Sequence, residues 1–124
     1  HLKVVSGPAS ATGAARLAAM AGLRIGAGLV TVLSPPGAVS VNASHLTAIM
    51  LQPINDAVDL ELAGQSAQVV IVGPAAGVTP ATRANVETIL KSRARALSDT
   101  RRIPASTRSK RPAVRPKRPD VWCC

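Results

Sequence analysis

Two short glycine-containing segments have the residue types and spacing of loops that bind an anionic ligand. Gly73-Pro74-Ala75-Ala76-Gly77 follows the apolar run at residues 68–72, and residues 6–15 follow a shorter apolar run at residues 2–5. Small residues let a ligand approach the backbone closely, and backbone N–H groups at the start of a helix attract anions. Neither segment is a Walker loop or a G-x-G-x-x-G fingerprint. On the local pattern alone, a simple turn between a strand and a helix is the favoured interpretation of each segment.

Ionisable side chains give weaker candidates for chemistry. His45 could act as an acid or a base, but no carboxylate lies near it in the sequence, so a partly buried structural role is the favoured interpretation. Asp56, Asp59 and Glu61 are interpreted as a solvated acidic turn. Arg24 is expected to end a helix, where a cation meets the negative end of the helix dipole. Residue types alone therefore assign no catalytic residue.

Cysteine and histidine usage predicts neither a metal site nor a disulfide scaffold. The two cysteines, Cys123 and Cys124, are adjacent, and neighbouring cysteines pair only under strain. No His or Cys has metal-ligand spacing, and a cytoplasmic location is the default expectation. The apolar region at residues 17–33 contains Arg24 and several glycines, so it is a poor membrane span, and no membrane partner is expected.

The elements that must position these loops follow from the alternation of apolar runs and turn signals in residues 1–90. Short apolar runs near residues 2–5, 29–33, 48–54 and 68–72 predict strands. Helices are expected at residues 13–25 and 79–90 and somewhere within residues 38–46, with a loop or short helix at 55–61. Thr12 and Gly26 suit the two ends of the first helix. Alternating strands and helices predict a parallel α/β sheet with helices outside it.

The net charge of +9 belongs to the C-terminal part of the chain. Residues 1–90 contain four Lys/Arg and four Asp/Glu, whereas residues 91–124 contain eleven Lys/Arg and two Asp/Glu. Residues 91–124 are also rich in Arg, Pro, Ser and Ala without apolar periodicity, which predicts a disordered basic tail and an interrupted domain. A frame-shifted translation, a disordered linker and a binding arm all remain open for this tail.

Three segments occur in an order and spacing that resemble one family. They are VVSGPASATGAARLAAMAGLRIGAGLVTVLSPP, VNASHLTAIMLQP and QVVIVGPAAGVTPATR, and together they cover about residues 4–90. They resemble the N-terminal signature of the ADP-dependent NAD(P)H-hydrate dehydratases, which belong to the ribokinase-like superfamily. The resemblance implies a parallel-sheet, three-layer ribokinase-like (Rossmann-like) α/β domain. Because the resemblance stops near residue 90 and the tail departs from the family, residues 1–90 are expected to be an N-terminal fragment of such a domain, with residues 91–124 as a tail that could be frame-shifted.

The resemblance also implies a function in the repair of nicotinamide nucleotides. Such enzymes dehydrate hydrated NADH or NADPH at the expense of ADP, or of ATP in some members, with Mg²⁺; full-length members are expected to be homo-oligomers. By this analogy Gly13, Ala14 and Gly77 would contact the hydrated nucleotide. Ala75 stands where the family usually has a second glycine, and the later Gly-Thr-Gly-Asp segment with the catalytic aspartate does not occur. No catalytic residue is therefore assigned, and the chain alone is expected to be inactive.

Two other functions remain as alternatives. A basic protein could bind nucleic acid through residues 91–124. Trp122 is the only Phe, Trp or Tyr residue in the chain, so stacking on bases is limited, and nucleic acid is not the favoured partner. A fragment of a ribokinase-like sugar or vitamin kinase would need a nucleotide site of the kinase type, which the sequence does not reveal.

Overall fold

Parallel strands form a single sheet in a computed structural model of the chain, which describes residues 1–77, 79–92, 94–98 and 122–123. The strands are β1 (Leu2–Val5), β2 (Val30–Ser34), β3 (Met50–Pro53), β4 (Val69–Val72), β5 (Arg95–Ser98) and β6 (Trp122–Cys123). The helices are α1 (Gly13–Arg24), α2 (Val39–Ala43), α3 (Ala57–Gln65) and α4 (Pro80–Lys91). The strand order β3-β2-β1-β4-β5-β6 confirms the predicted parallel α/β fold.

Strand β1 lies at the centre of this order, between β2 and β4. The chain passes from β1 to β2 and β3 in one direction and then crosses to β4 on the other side of β1. Leu2 is in register with Val30 of β2 and with Val69 of β4. The direction of winding therefore reverses between β1 and β4, which is the position where open α/β sheets bind their ligands.

Helices cover both faces of the sheet because successive strand residues point to opposite sides. On one face Val4 and Val32 pack against Ala15 and Ala19 of α1. On the other face Val5, Leu33 and Val70 form a second core with residues of α3 and α4, including Leu60 and Ile89. Full burial of each large aliphatic side chain contributes about 1.5–3 kcal/mol, so the two cores hold the layers together.

Helix α1 lies close to β1 because its inward face consists of small residues. A Cβ atom added at Gly22 would lie 2.2 Å from Cδ2 of Leu2. The helix ends before Gly26, whose φ of 101° favours glycine, so the predicted helix at residues 13–25 is confirmed. Thr12 precedes the helix as predicted, but its buried side chain makes no capping hydrogen bond.

The remaining elements lie close to their predicted positions. Strands β2, β3 and β4 fall within or beside the predicted apolar runs. The acidic stretch at residues 55–61 begins helix α3 rather than forming a turn alone: Asp56 caps this helix by accepting a hydrogen bond of 2.8 Å from the Asp59 amide. The helix predicted somewhere within residues 38–46 is confirmed, since α2 spans Val39–Ala43.

Strand β5 was not expected from the composition. Composition predicted a disordered tail over residues 91–124, and for residues 95–98 and 122–123 that prediction is wrong. Residues 95–98 pair with β4 from Val69↔Arg95 to Val72↔Ser98, and Trp122 and Cys123 of β6 pair in turn with Leu97 and Ser98. Strand β5 is only four residues long, and the composition of the surrounding basic segment masks its two apolar residues, Ala96 and Leu97. Residues 99–121 and 124, on which most of the predicted tail and its frame shift fall, lie outside the described residues.

Candidate functional site

The two glycine-containing segments meet at the point where the sheet reverses its winding. Val5 at the end of β1 is in register with Val72 at the end of β4, so the β1–α1 loop (residues 6–12) and the β4–α4 loop (residues 73–77) start side by side. Gly7 is buried, and a Cβ atom added there would lie 2.3 Å from the carbonyl oxygen of Ala75. The two loops are therefore in direct contact, and only glycine fits at that contact.

The three predicted substrate-binding residues lie next to this contact along the chain. Gly13 and Ala14 open helix α1 directly after the β1–α1 loop. No atom lies within 4 Å of a Cβ built on Gly13, and Ala14 is exposed. Gly77 is exposed at the end of the β4–α4 loop, with a φ of 75° that favours glycine. The first turn of α1 thus offers open space beside a backbone that few side chains cover.

Hydrogen bonds fix the shape of the β4–α4 loop. The Ala76 amide donates to the Gly73 carbonyl oxygen at 3.1 Å, which closes the turn Pro74–Ala76. The Thr82 hydroxyl then donates to the Ala76 carbonyl oxygen at 2.7 Å, and Thr79 caps helix α4 by accepting from the Thr82 amide at 3.1 Å. The loop is consequently held against the first turn of α4 before any ligand binds.

A buried polar cluster joins the ends of β1 and β2, and it was not recognised from the sequence. Asn42 of α2 donates from Nδ2 to the hydroxyl oxygens of Ser6 and Ser34, at 3.1 and 3.0 Å. All three side chains are buried. Ser6 and Ser34 follow or end the apolar strands β1 and β2, and this position at a strand end is the signal that could have identified them.

Charged groups near the two loops are few among the described residues. Arg83 in the first turn of α4 pairs with Glu87 at 3.1 Å. Nε of Arg16, in the first turn of α1, is buried and has no hydrogen-bond partner in the part of the chain that the structure describes. Lys3 lies away from the two loops, near the start of β1, where its Nζ donates to the Ser66 hydroxyl at 2.8 Å; burial lowers the pKa of its amine.

Histidine 45 does not contribute to this arrangement. The side chain was predicted to be partly buried, and that prediction is wrong because His45 is exposed. Its Nδ1 atom lies 2.9 Å from both the Val41 carbonyl oxygen and the Ser44 hydroxyl, just beyond the end of α2. Within the described residues, no three His, Cys, Asp or Glu side chains are grouped so as to hold a metal ion. The site therefore offers backbone and space for binding.

No helix in the described segments is long and apolar enough to cross a membrane.

Comparison with known proteins identifies relatives of this chain. A family model described as NAD(P)H-hydrate dehydratase matches residues 2–118. The bifunctional NAD(P)H-hydrate repair enzyme Nnr of Coxiella burnetii is 33% identical over 92 residues, which are 74% of this chain and 19% of that protein. The crystal structure of the hypothetic protein SMU.573 from Streptococcus mutans superposes with a TM-score of 0.67 at 23% identity, covering 77% of this chain and 36% of that one.

The two relatives support different conclusions. The structural likeness supports the fold alone, and the chain spans about a fifth of the enzyme and about a third of the solved protein. The family match extends over most of the chain, including strand β5, which composition alone had not predicted. On this match, the chain belongs to the NAD(P)H-hydrate dehydratase family.

Proposed function

We propose that this chain forms the substrate-binding part of an NAD(P)H-hydrate dehydratase. The hydrated nicotinamide nucleotide would lie at the crevice between the β1–α1 and β4–α4 loops. The observation that carries this proposal is the contact between Gly7 and Ala75 at the reversal point of the sheet, next to open space at Gly13. Parallel sheets of this kind bind their ligands at such a crevice.

Within the proposed site the chain's own residues bind and orient the nucleotide. The first amides of α1 have no partners within the helix, and together with the helix dipole they attract an anionic phosphate. Gly13 and Ala14 leave room for the ligand above these amides, and Gly77 lets the second loop turn back beside it. Ala75 is a methyl group larger than glycine, so the β4–α4 loop approaches the ligand less closely than a loop with a second glycine would.

The co-reactant is proposed from the family only. ADP or ATP would supply the phosphoryl group that turns the hydrate hydroxyl into a leaving group. Mg²⁺ is likewise proposed from the family alone, since the described residues include no group of three carboxylate, His or Cys ligands, and no step is assigned to it. Because the Gly-Thr-Gly-Asp segment is absent from the sequence, we propose that the chain alone binds substrate without converting it.

Compartment and assembly are likewise proposals. A cytoplasmic location is consistent with the two cysteines being adjacent rather than spaced as a disulfide framework. Homo-oligomers are proposed for the longer family members. Neither the nucleic-acid alternative nor the small-molecule kinase alternative gains support from the described residues or from the family match.

Calorimetric titration of the purified 124-residue chain with NADH hydrate tests the proposed function. Saturable binding is expected, with weaker binding of unmodified NADH. Gly13→Val should weaken binding of the hydrate roughly tenfold or more, because the new side chain fills space that the ligand needs. Little loss of stability is expected, since no atom lies within 4 Å of the new Cβ position.

Gly28→Val is the matched control. A Cβ at Gly28 also has no atom within 4 Å. Gly28 precedes β2, however, so it lies at the end of the parallel strands opposite to the two loops. Binding should be unchanged in this variant. Equal effects of the two substitutions, or no binding by the unsubstituted chain, would contradict the proposal. Recovery of NADH after addition of ADP would contradict the inactivity of the chain alone.

A further inference from the structure

The buried amide of Asn42 joins the ends of two neighbouring strands. Its Nδ2 group has two protons, and it donates one to Ser6 Oγ at 3.1 Å and one to Ser34 Oγ at 3.0 Å. Ser6 follows the last residue of β1, and Ser34 is the last residue of β2. Asn42 has no exposed surface, so water does not compete for these two bonds.

The hydrogen bonds in this cluster run in one direction. Each serine hydroxyl accepts from Asn42 and donates its own proton to the carbonyl oxygen of the next residue. Ser6 donates to Gly7 at 3.3 Å, and Ser34 donates to Pro35 at 3.2 Å. Oδ1 of Asn42 is buried and has no partner among the described residues. An apolar side chain of similar shape in place of Asn42 would not leave a buried acceptor unpaired. The role of the Asn42 amide is therefore better explained by its holding Ser6 and Ser34 in place than by a gain in stability.

The bond to Ser6 has a consequence that the bond to Ser34 does not have. Ser6 is followed by Gly7, whose Cα faces the carbonyl oxygen of Ala75 in the β4–α4 loop. The Ser6 amide donates to the Leu33 carbonyl oxygen at 2.8 Å, which ties the same residue to β2. A displacement of Ser6 therefore moves Gly7 against Ala75, whereas a displacement of Ser34 affects the connection from β2 to α2.

We propose that Asn42 is a positioning residue that sets both loops of the nucleotide site through Ser6 and the contact between Gly7 and Ala75. The proposal rests on the proposed function for its ligand, NADH hydrate. Asn42 is fully buried and would act without touching the ligand. It holds the β1–α1 loop in the position where Gly7 contacts Ala75 of the β4–α4 loop.

The two serines offer a matched test in the full chain, because each substitution removes one bond of similar length to the same buried amide. Ser6→Ala and Ser34→Ala should lower the free energy of unfolding by similar amounts. Ser6→Ala should raise the dissociation constant for NADH hydrate roughly tenfold, whereas Ser34→Ala should change it by less than about twofold. Equal losses of binding would overturn the proposal, because they would indicate a merely structural role.

Hydrogen exchange provides a second readout that needs no ligand. In Ser6→Ala, backbone amides of residues 7–12 and 73–77 should both exchange faster, and in Ser34→Ala the amides of residues 73–77 should keep their rates. Unchanged exchange at residues 73–77 in Ser6→Ala would overturn the positioning role even if binding were lost. If the unsubstituted chain binds no NADH hydrate, the proposed function fails, while the exchange rates still decide whether Asn42 positions both loops.

Discussion

At the scale of single residues, Lys3 is the described side chain whose burial conflicts most with its charge. It is only 3% exposed in the central strand, and one hydroxyl, that of Ser66, accepts from its Nζ atom within 3 Å. Burial penalises the ammonium form and lowers the pKa of Lys3 below its usual 10.5. In the pH range between the lowered pKa and 10.5, the unfolded chain binds more protons than the folded one, so stability rises with pH there.

Replacing Lys3 by Met should remove this pH dependence. The free energy of unfolding, measured in urea at several pH values between 7 and 10.5, should rise less steeply with pH than in the unsubstituted chain. Ser66 is exposed and keeps its bond of 3.2 Å to the Ala63 carbonyl oxygen, so the substitution does not leave its hydroxyl unpaired. Lys91→Met is the control, since Lys91 is exposed at the end of α4. An equal change of slope in both variants would contradict burial as the cause.

At the scale of elements, close packing at two glycines, Gly7 and Gly22, positions the site, and the two glycines differ in the atoms that a larger side chain would contact. At Gly7 a Cβ would face backbone, at 2.3 Å from the Ala75 carbonyl oxygen and 3.0 Å from that of Ala11. At Gly22 it would face only the far end of the Leu2 side chain, at 2.2 Å. A side chain can change its rotamer, whereas two loops in contact must move apart as units.

Gly7→Ala should therefore cost more stability than Gly22→Ala. A loss of about 1–3 kcal/mol in the free energy of unfolding is expected for Gly7→Ala, together with weaker binding of NADH hydrate. At Gly22 the overlap is offset by the better helix propensity of Ala, worth about 1 kcal/mol, so the net change should be small. Urea denaturation of both variants measures the difference. A larger loss at Gly22 would show that helix α1 is held more rigidly than the two loops.

At the scale of the whole molecule, the sequence predicted what local pattern determines. Strand β2 is buried on both faces and β4 is buried on one face and partly buried on the other, so their apolar runs were recognisable, and the turn glycines identified both loops. Asn42 could not be recognised because its partners lie 36 and 8 residues away. His45 was misjudged for the same reason, since packing by distant segments decides whether a side chain is buried. Strand β5 was missed because Ala96 is the one side chain of residues 95–97 that is fully buried.

Strand β5 also decides how far the folded domain extends, and Ala96 allows a direct test. This residue is 7% exposed and belongs to the core with Val70 and Ile89. Ala96→Glu should lower the free energy of unfolding by roughly 3 kcal/mol or more, because a carboxylate without a partner would enter an apolar core.

The control places the same substitution on a surface of the neighbouring helix. Ala84 is exposed on α4, and Ala84→Glu should change the free energy of unfolding by no more than about 0.5 kcal/mol. Chemical denaturation of the two variants gives the comparison. If Ala96→Glu is as harmless as Ala84→Glu, residues 95–98 add nothing to the fold, and the boundary at residue 90 predicted from composition is the better description. If it is strongly destabilising, the basic segment starts inside the domain, because the central sheet needs β5 to cover the edge of β4 and to complete the core beneath α4.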